Sequence, residues 1–362
     1  MKASSAAVNG ALAVAGLLAA YVTWQRPKET SNNDNVTVLE ATKGTLGKVR
    51  YEDGSRVLEV FQPEGEKAVW LRMETIPSAL TKLPSQYTVQ ADGGAYPLDG
   101  GGNGPNDAGL FMEVKAMGNE PPAPPREMRG NERADALLVR FTPFEAVRAL
   151  GKLTAEKQKE LGLEGSVRKL TVTVSGQPHV YVVSNPQAGM VGTYLRDEKD
   201  GAVYLLTGSL LSELEPSSQA LIDRRLHAFR GPDFDEFVIG YDNAKHAYLQ
   251  KDAEIPQTMK VSAKETPDKQ DDLVRNWHDK VWNRLIVTEV LGKGEQPKTG
   301  EPKVELRIDY LARGSSKGFI ELGKSAGELW ARTENTASWV GLHAGTDDVI
   351  AEAKKFTSPS KP

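Results

Sequence analysis

One stretch of this chain is written twice, and any fold it adopts must accommodate both copies. Residues 170–214 read LTVTVSGQPHVYVVSNPQAGMVGTYLRDEKDGAVYLLTGSLLSEL, and residues 304–352 read VELRIDYLARGSSKGFIELGKSAGELWARTENTASWVGLHAGTDDVIAE. Each begins with alternating strands, reaches an aromatic-x-Arg-x-Glu core, turns, passes a second aromatic and ends on a helix-like tail. The cores are Tyr194, Arg196 and Glu198 in one copy and Trp330, Arg332 and Glu334 in the other; Trp70, Arg72 and Glu74 form a third instance. On a strand, period two sets the three side chains of each core on one face. The aromatic ring can then cover the Arg stem while the Glu pairs with its head. A strand that recurs because the unit recurs is a packing feature, so these nine residues are expected to be structural; the competing reading is a glycan- or peptide-binding face.

Around these copies the order of elements repeats. Residues 48–51, 56–62 and 67–74 read as short strands, and residues 236–251 as a hairpin turning near Asp242 to Lys245. Thr142-Pro143-Phe144-Glu145 has a capping hydroxyl, a first-turn proline and a returning Glu, which predicts a helix with Phe144, Val147 and Leu150 or Leu153 on its apolar face. A second turn of helix is expected from Thr154 to Leu161, closed by Gly162. Residues 271–285 predict the best amphipathic helix, with Leu273, Trp277, Val281 and Leu285 on one face and Val274 and Trp282 flanking it. The resulting expectation is an α+β fold: antiparallel strands with helices on one face, in two repeated units at 44–216 and 234–356, joined by a connecting segment at 217–233. A Gly/Pro-rich insertion spans 92–131, with a strand expected at 110–115, and a short tail follows residue 356.

The N-terminus carries a different signal. Residues 6–24 (AAVNGALAVAGLLAAYVTW) contain no charge. At about 1.5 Å per residue this run reaches roughly the thickness of a bilayer core. Lys2 precedes it, Tyr21 and Trp24 suit an interfacial belt, and Arg26 and Lys28 follow. The small-x-small sequence Ala13-Val14-Ala15 lies inside the run rather than after it, which favours an uncleaved transmembrane anchor at 1–26 with a polar tether at 27–43 over a signal peptide. Ala7, Ala11, Ala15 and Ala19 recur every fourth residue, with Gly16 beside them and Asn9 as a mid-membrane amide, a pattern expected to pack against another transmembrane helix.

Composition narrows the chemistry. The net charge of −4 points to no nucleic-acid partner. The absence of cysteine excludes a disulfide framework, a Cys-ligated zinc and a thiol nucleophile. There is no GxxxxGK[ST], GxSxG or HExxH sequence. His179, His227, His246, His278 and His343 never fall at i, i+4 spacing, and each is expected to be an ordinary strand, helix or surface residue. The acidic pairs Asp197/Glu198, Asp271/Asp272 and Asp347/Asp348 fall at turns or helix starts, where they complement the dipole. No catalytic residue, metal or cofactor is expected.

The layout resembles an uncharacterised envelope family described as the auxiliary component of Gld-like gliding-motility ABC transport systems. The residues that carry the resemblance are Leu161 to Glu164 before LTVTV, the Tyr194-x-Arg196 strand, Val203 to Leu206, the LIDRRLHAF joint at 221–229, and DEFVIGYDNAKHAYL from Asp235. It covers most of 48–352 together with the apolar N-terminal segment; the insertion at 92–131 departs from it. The resemblance implies a single-pass inner-membrane protein with its body in the periplasm, serving as a non-enzymatic accessory subunit. Its partners would be the ABC-transporter permease and ATPase, with other envelope proteins. The alternative is a stand-alone extracytoplasmic module that binds glycans or peptides.

Overall fold

The computed structural model describes residues 35–76, 87–89, 95–97, 124–186, 192–207, 210–214, 218–242, 244–255, 258–343 and 348–357. The first half opens with β1 (Val36–Leu39), β2 (Leu46–Glu52), β3 (Arg56–Phe61), β4 (Trp70–Thr75), the ribbon strands β5 (Tyr87–Val89) and β6 (Ala95–Pro97), and β7 (Arg126–Arg129). Helix α1 (Glu132–Val139) leads to β8 (Phe144–Ala146), β9 (Arg148–Lys152) and the short α2 (Ala155–Glu160). A meander of β10 (Lys169–Val174), β11 (Gln177–Val183), β12 (Thr193–Asp197) and β13 (Ala202–Leu206) ends near α3 (Ser218–Leu221). The second half runs β14 (Glu236–Tyr241), β15 (Ala244–Lys251), β16 (Lys260–Ala263), α4 (Asp272–Asp279), β17 (Ile286–Val290), β18 (Lys303–Ala312), β19 (Ser315–Ser325), β20 (Glu328–Thr333), β21 (Val340–His343) and α5 (Val349–Thr357).

These strands form a nine-stranded sheet ordered β7-β4-β3-β2-β10-β11-β12-β13-β9 and an eight-stranded sheet ordered β16-β15-β14-β18-β19-β20-β21-β17. The pairs β1–β8 and β5–β6 make two small ribbons. β7 apart, the two large sheets have one topology. In each, three consecutive strands form a meander, a helix follows, the sheet's next strand goes to the far edge, and four more fill the gap between. β12 and β20 therefore occupy equivalent places, whereas β4 corresponds to β16.

Residues of period two build each core. In the first sheet Leu71, Val60, Val49 and Val172 stand opposite one another across four strands, with Leu58, Tyr51, Leu170 and Tyr181 forming the adjoining row. All eight are buried. In the second, Tyr248, Phe237 and Tyr310 face one another across β15, β14 and β18. Helix α4 packs on β16, and α5 packs on α4, β14 and β15.

The expected α+β class is corrected: strands dominate, and the longest α-helix among the described residues, α5, has nine residues. The chief reason lies after Thr142. Thr142-Pro143 is a cis peptide, and Phe144 and Ala146 are buried on either side of exposed Glu145. That is a strand pattern with period two, and it overrides the capping signature; the Thr142 hydroxyl instead donates to the Val139 carbonyl at 2.8 Å. The helix in this region comes earlier, with Asn131 as its N-cap accepting from Arg133 N and Ala134 N.

The single-pass inner-membrane placement is also corrected: no helix among the described residues is long and apolar enough to cross a membrane. The run 6–24, with Ala7, Asn9, Ala11, Ala15, Gly16 and Ala19, lies outside the described residues, as do the expected strand at 110–115 and most of the insertion.

A strap formed by residues 221–229 joins the halves. Its start lies along β7: Asn131 N donates to Leu221 O and Asp223 N to Arg129 O, each at 2.8 Å. Its end is held by the turn after β20, where the Asn335 amide donates to Asp223 Oδ2 (3.1 Å) and Arg225 O (2.9 Å) and the Thr333 hydroxyl donates to Leu226 O. A second junction brings the Arg126 guanidinium onto both oxygens of Glu295 (2.7 and 2.8 Å), while Lys293 N donates to Glu127 O at 2.7 Å.

Candidate functional site

Helix α4 begins at Asp271, whose carboxylate accepts from Val274 N at 3.0 Å. Its buried residues are Val274, Trp277 and His278, and Val281 is buried just beyond it. Leu273, expected on the apolar face, is 55% exposed. The face is therefore rotated from the expected one, and its centre is a histidine. Beyond Asp279 the backbone continues as a π-helical turn, Lys280–Arg284. Such a turn inserts an extra residue into the helical repeat and often marks functional sites. Here Trp282 joins the same cluster of rings as His278.

That cluster sits on the Tyr248–Phe237–Tyr310 row. The His278 ring stacks on Phe237 (centroids 4.4 Å apart, planes 19°). Trp282 meets Phe234 at 5.2 Å and Tyr310 at 5.1 Å. From the strap, His227 stacks on Trp282 at 4.7 Å with planes 6° apart. His227 Nδ1 lies 3.2 Å from both oxygens of Glu334, which also accept from Ala228 N (3.3 Å) and Phe319 N (3.0 Å). Gly318 permits this approach, since a Cβ there would stand 2.4 Å from Glu334 Oε2 and 2.6 Å from the Phe229 ring.

Beside the rings opens a cleft of about 200 Å³. Phe234, Gln250, His278 and Trp282 line it, with Glu254 and Asp279 among its acidic residues. Buried polar groups normally have hydrogen-bond partners. Gln250 Oε1, both ring nitrogens of His278 and the Tyr310 hydroxyl are buried with no partner among the described residues. Gln250 is 5% exposed and His278 2%. The Gln250 amide is oriented by its nitrogen, which donates to Gly231 O at 2.7 Å and Phe234 O at 3.2 Å, so its oxygen is left as an acceptor. Burial pushes the His278 pKa down to about 3, with His227 contributing, so the imidazole is neutral and offers one donor and one acceptor. Burial also raises the Tyr310 phenol well above its ordinary range.

The nine repeat-core residues are not brought together. Tyr194 is half-buried on β12; the Arg196 guanidinium donates to the Gln158 side chain at 2.6 Å, and Glu198 pairs with Lys169 at 3.0 Å. Trp330 is 3% exposed beside Leu291 and Trp339. Arg332 pairs with Glu321 at 2.7 Å and lies over Trp339 at 4.9 Å. Trp70 stands at the junction of the halves, 5.3 Å from the Lys293 ammonium and 5.6 Å from the Arg129 guanidinium, with its indole N–H donating to Glu66 at 2.8 Å. Arg72 is exposed and Glu74 half-buried. In no copy does the Glu pair with the Arg of its own core. Only Glu334 reaches the cleft region, through His227.

Among the histidines, His227 and His278 meet in the ring cluster and His246 Nε2 lies 3.0 Å from Thr357 O. Among the described residues no three His, Asp or Glu side chains converge as metal ligands would. Sequence reasoning missed His278 and Gln250. A signal for His278 was present, since it lies four residues after Val274 on a face with Trp277 and Val281. Gln250 ends an alternating strand and carries no local signal.

No family model matches the chain, and no curated protein matches its sequence.

Proposed function

We propose that this chain is a non-enzymatic recognition subunit, in which a duplicated β scaffold holds a group of its partner in the His278 cleft. The observation that carries this reading is a cleft walled by aromatic rings and lined by Gln250 and His278, two side chains whose buried polar atoms have no partner among the described residues. Leaving such groups unpaired lowers stability, and departures from local stability rules concentrate at functional sites. A cleft of about 200 Å³ is smaller than the pockets that enclose drug-sized ligands. It suits one anchoring side chain, the kind of contact that dominates protein–protein affinity.

The process in which we place this subunit is the one implied by the family resemblance: an auxiliary role beside the permease and ATPase of an ABC-type transport complex. The test is affinity capture of the tagged full chain from its native cells in mild detergent, with mass spectrometry of what is recovered. Co-recovery of an ABC permease and ATPase is expected, reduced at least several-fold by Trp282→Ala. Recovery of the chain without them would overturn the transport role and leave the stand-alone glycan- or peptide-binding module as the reading to pursue.

A further inference from the structure

We propose that the outward face of the second sheet, centred on Gly240, is the surface through which two copies of this chain associate. The proposal goes beyond the recognition role above and does not involve the cleft. Period two puts Phe237 and Ile239 of β14 in the core, where α4 and α5 contribute their buried residues, and puts Val238 and Gly240 on the opposite face. A solvated sheet face ordinarily carries polar residues. Here Val238 is half-buried and Val304 of β18 is 40% exposed. Together with Tyr241 they line an open groove of about 290 Å³ that has Gly240 in its floor. Exposed apolar surface rimmed by charges is characteristic of interaction sites.

Nothing within the protomer requires a glycine at position 240. It stands in a regular ladder, opposite Lys245 on one side and Arg307 on the other, and its φ lies outside the left-handed region. A Cβ there would meet only Arg307 O, at an ordinary 3.5 Å, whereas a Cβ on Gly323 would stand 2.4 Å from Lys303 O. Glycine inside a strand is destabilising and often marks the close approach of another backbone. The charges beside Gly240 identify that backbone. Lys245 and Glu305 line the groove from the strands on either side of β14, and neither has an ion-pair partner among the described residues. The Glu305 charge acts on Lys354, but that ammonium lies over the Tyr241 ring at 5.6 Å. Arg307 and Asp309, which also line the groove, pair with each other at 2.7 Å, and Asp242 sits at the hairpin turn. A partner of one charge sign would leave Lys245 or Glu305 unmatched. A two-fold axis through Gly240 sets Lys245 of each copy against Glu305 of the other, the self-complementary contact of an isologous dimer.

The test is sedimentation velocity of the full chain in mild detergent over a series of protein concentrations. A monomer–dimer equilibrium is expected. Gly240→Leu, whose Cβ has room within the protomer, fills the groove and should weaken association at least tenfold. Lys245→Glu and Glu305→Lys each set like charges against each other across the axis and should weaken it too. The chain carrying both of these charge changes should recover most of the wild-type association. Each variant is verified as folded by circular dichroism. A chain that stays monomeric at every concentration, association unchanged in Gly240→Leu, or a double variant no tighter than either single one would overturn the proposal. A monomeric chain that captures another protein from its native cells, and loses it through Gly240→Leu, would overturn the dimer and give this face to that partner.

Discussion

His278 loses the hydration of two ring nitrogens on folding and gains no hydrogen bond from the described residues. An unsatisfied buried group of this kind costs about 1–3 kcal/mol. His278→Phe keeps a flat ring against Phe237 and removes both nitrogens, so the unliganded protein is expected to become more stable by roughly 1–3 kcal/mol in urea unfolding. The effect also has a pH signature. The folded-state pKa of about 3 lies below the ordinary value of 6.5, so below pH 6.5 the unfolded chain takes up a proton that the folded chain does not. Stability from this residue is then constant above pH 6.5 and falls by about 1.4 kcal/mol per pH unit beneath it. Glu59, Glu295, Asp223 and Asp348 are held below their ordinary values; burial opposes that shift in all four, most of all in the first three, and cationic or N–H partners outweigh it. Their contribution is lost only as pH falls further, through their own lowered range. Between pH 7.5 and 5.5 the wild type should therefore lose roughly 1 kcal/mol more than His278→Phe. Equal losses would show that His278 is not buried as a neutral ring.

At the scale of elements, the strands were legible because period two is a direct consequence of strand geometry. Val49, Tyr51, Leu58 and Val60 mark β2 and β3, and the hairpin around Asp242 follows from its turn residues. The helices were less legible. Phe144 and Ala146 bury themselves in a strand despite a capping signature at Thr142, since local propensity yields to tertiary burial. Asp271 correctly starts α4, but the apolar side was read through Leu273 because a histidine does not look like a core residue. The cleft was illegible for a related reason: Gln250, His278 and Trp282 meet only once β15, α4 and the π-helical turn are assembled. The equivalence of β12 and β20 gives Trp330 a defined role, with its side chain filling the space beside Leu291 and Trp339. Trp330→Ala is expected to cost about 3–5 kcal/mol in chemical denaturation. Trp330→Phe should cost far less, because it keeps a ring and removes an indole N–H that has no partner among the described residues. A stable, folded Trp330→Ala protein that had lost only partner binding would instead make β20 a recognition strand.

At the scale of the whole molecule, the two sheets keep separate buried cores, and Val290 packs against both. Their coupling therefore rests on a few polar contacts and on the strap. The Arg126–Glu295 pair is about one-third exposed on each side, so solvent screens it and its share is small, on the order of 1 kcal/mol. Asn335 is different. It is 5% exposed, and its amide donates both to Asp223, which is anchored against β7, and to Arg225 O in the middle of the strap. The Asp223 side chain is only 4% exposed, and Arg225 and Asn335 hold its carboxyl below the ordinary range against the effect of burial. Removing the Asn335 amide leaves that buried carboxylate short of a donor and frees the strap from the turn after β20. Asn335→Ala is expected to cost about 1–3 kcal/mol and to weaken coupling between the halves. In scanning calorimetry the wild type should unfold in one transition, and Asn335→Ala in two that partly separate. The same substitution should loosen His227 and with it the wall of the cleft. A single transition in both proteins would place the coupling at the β7–Glu295 junction instead of the strap.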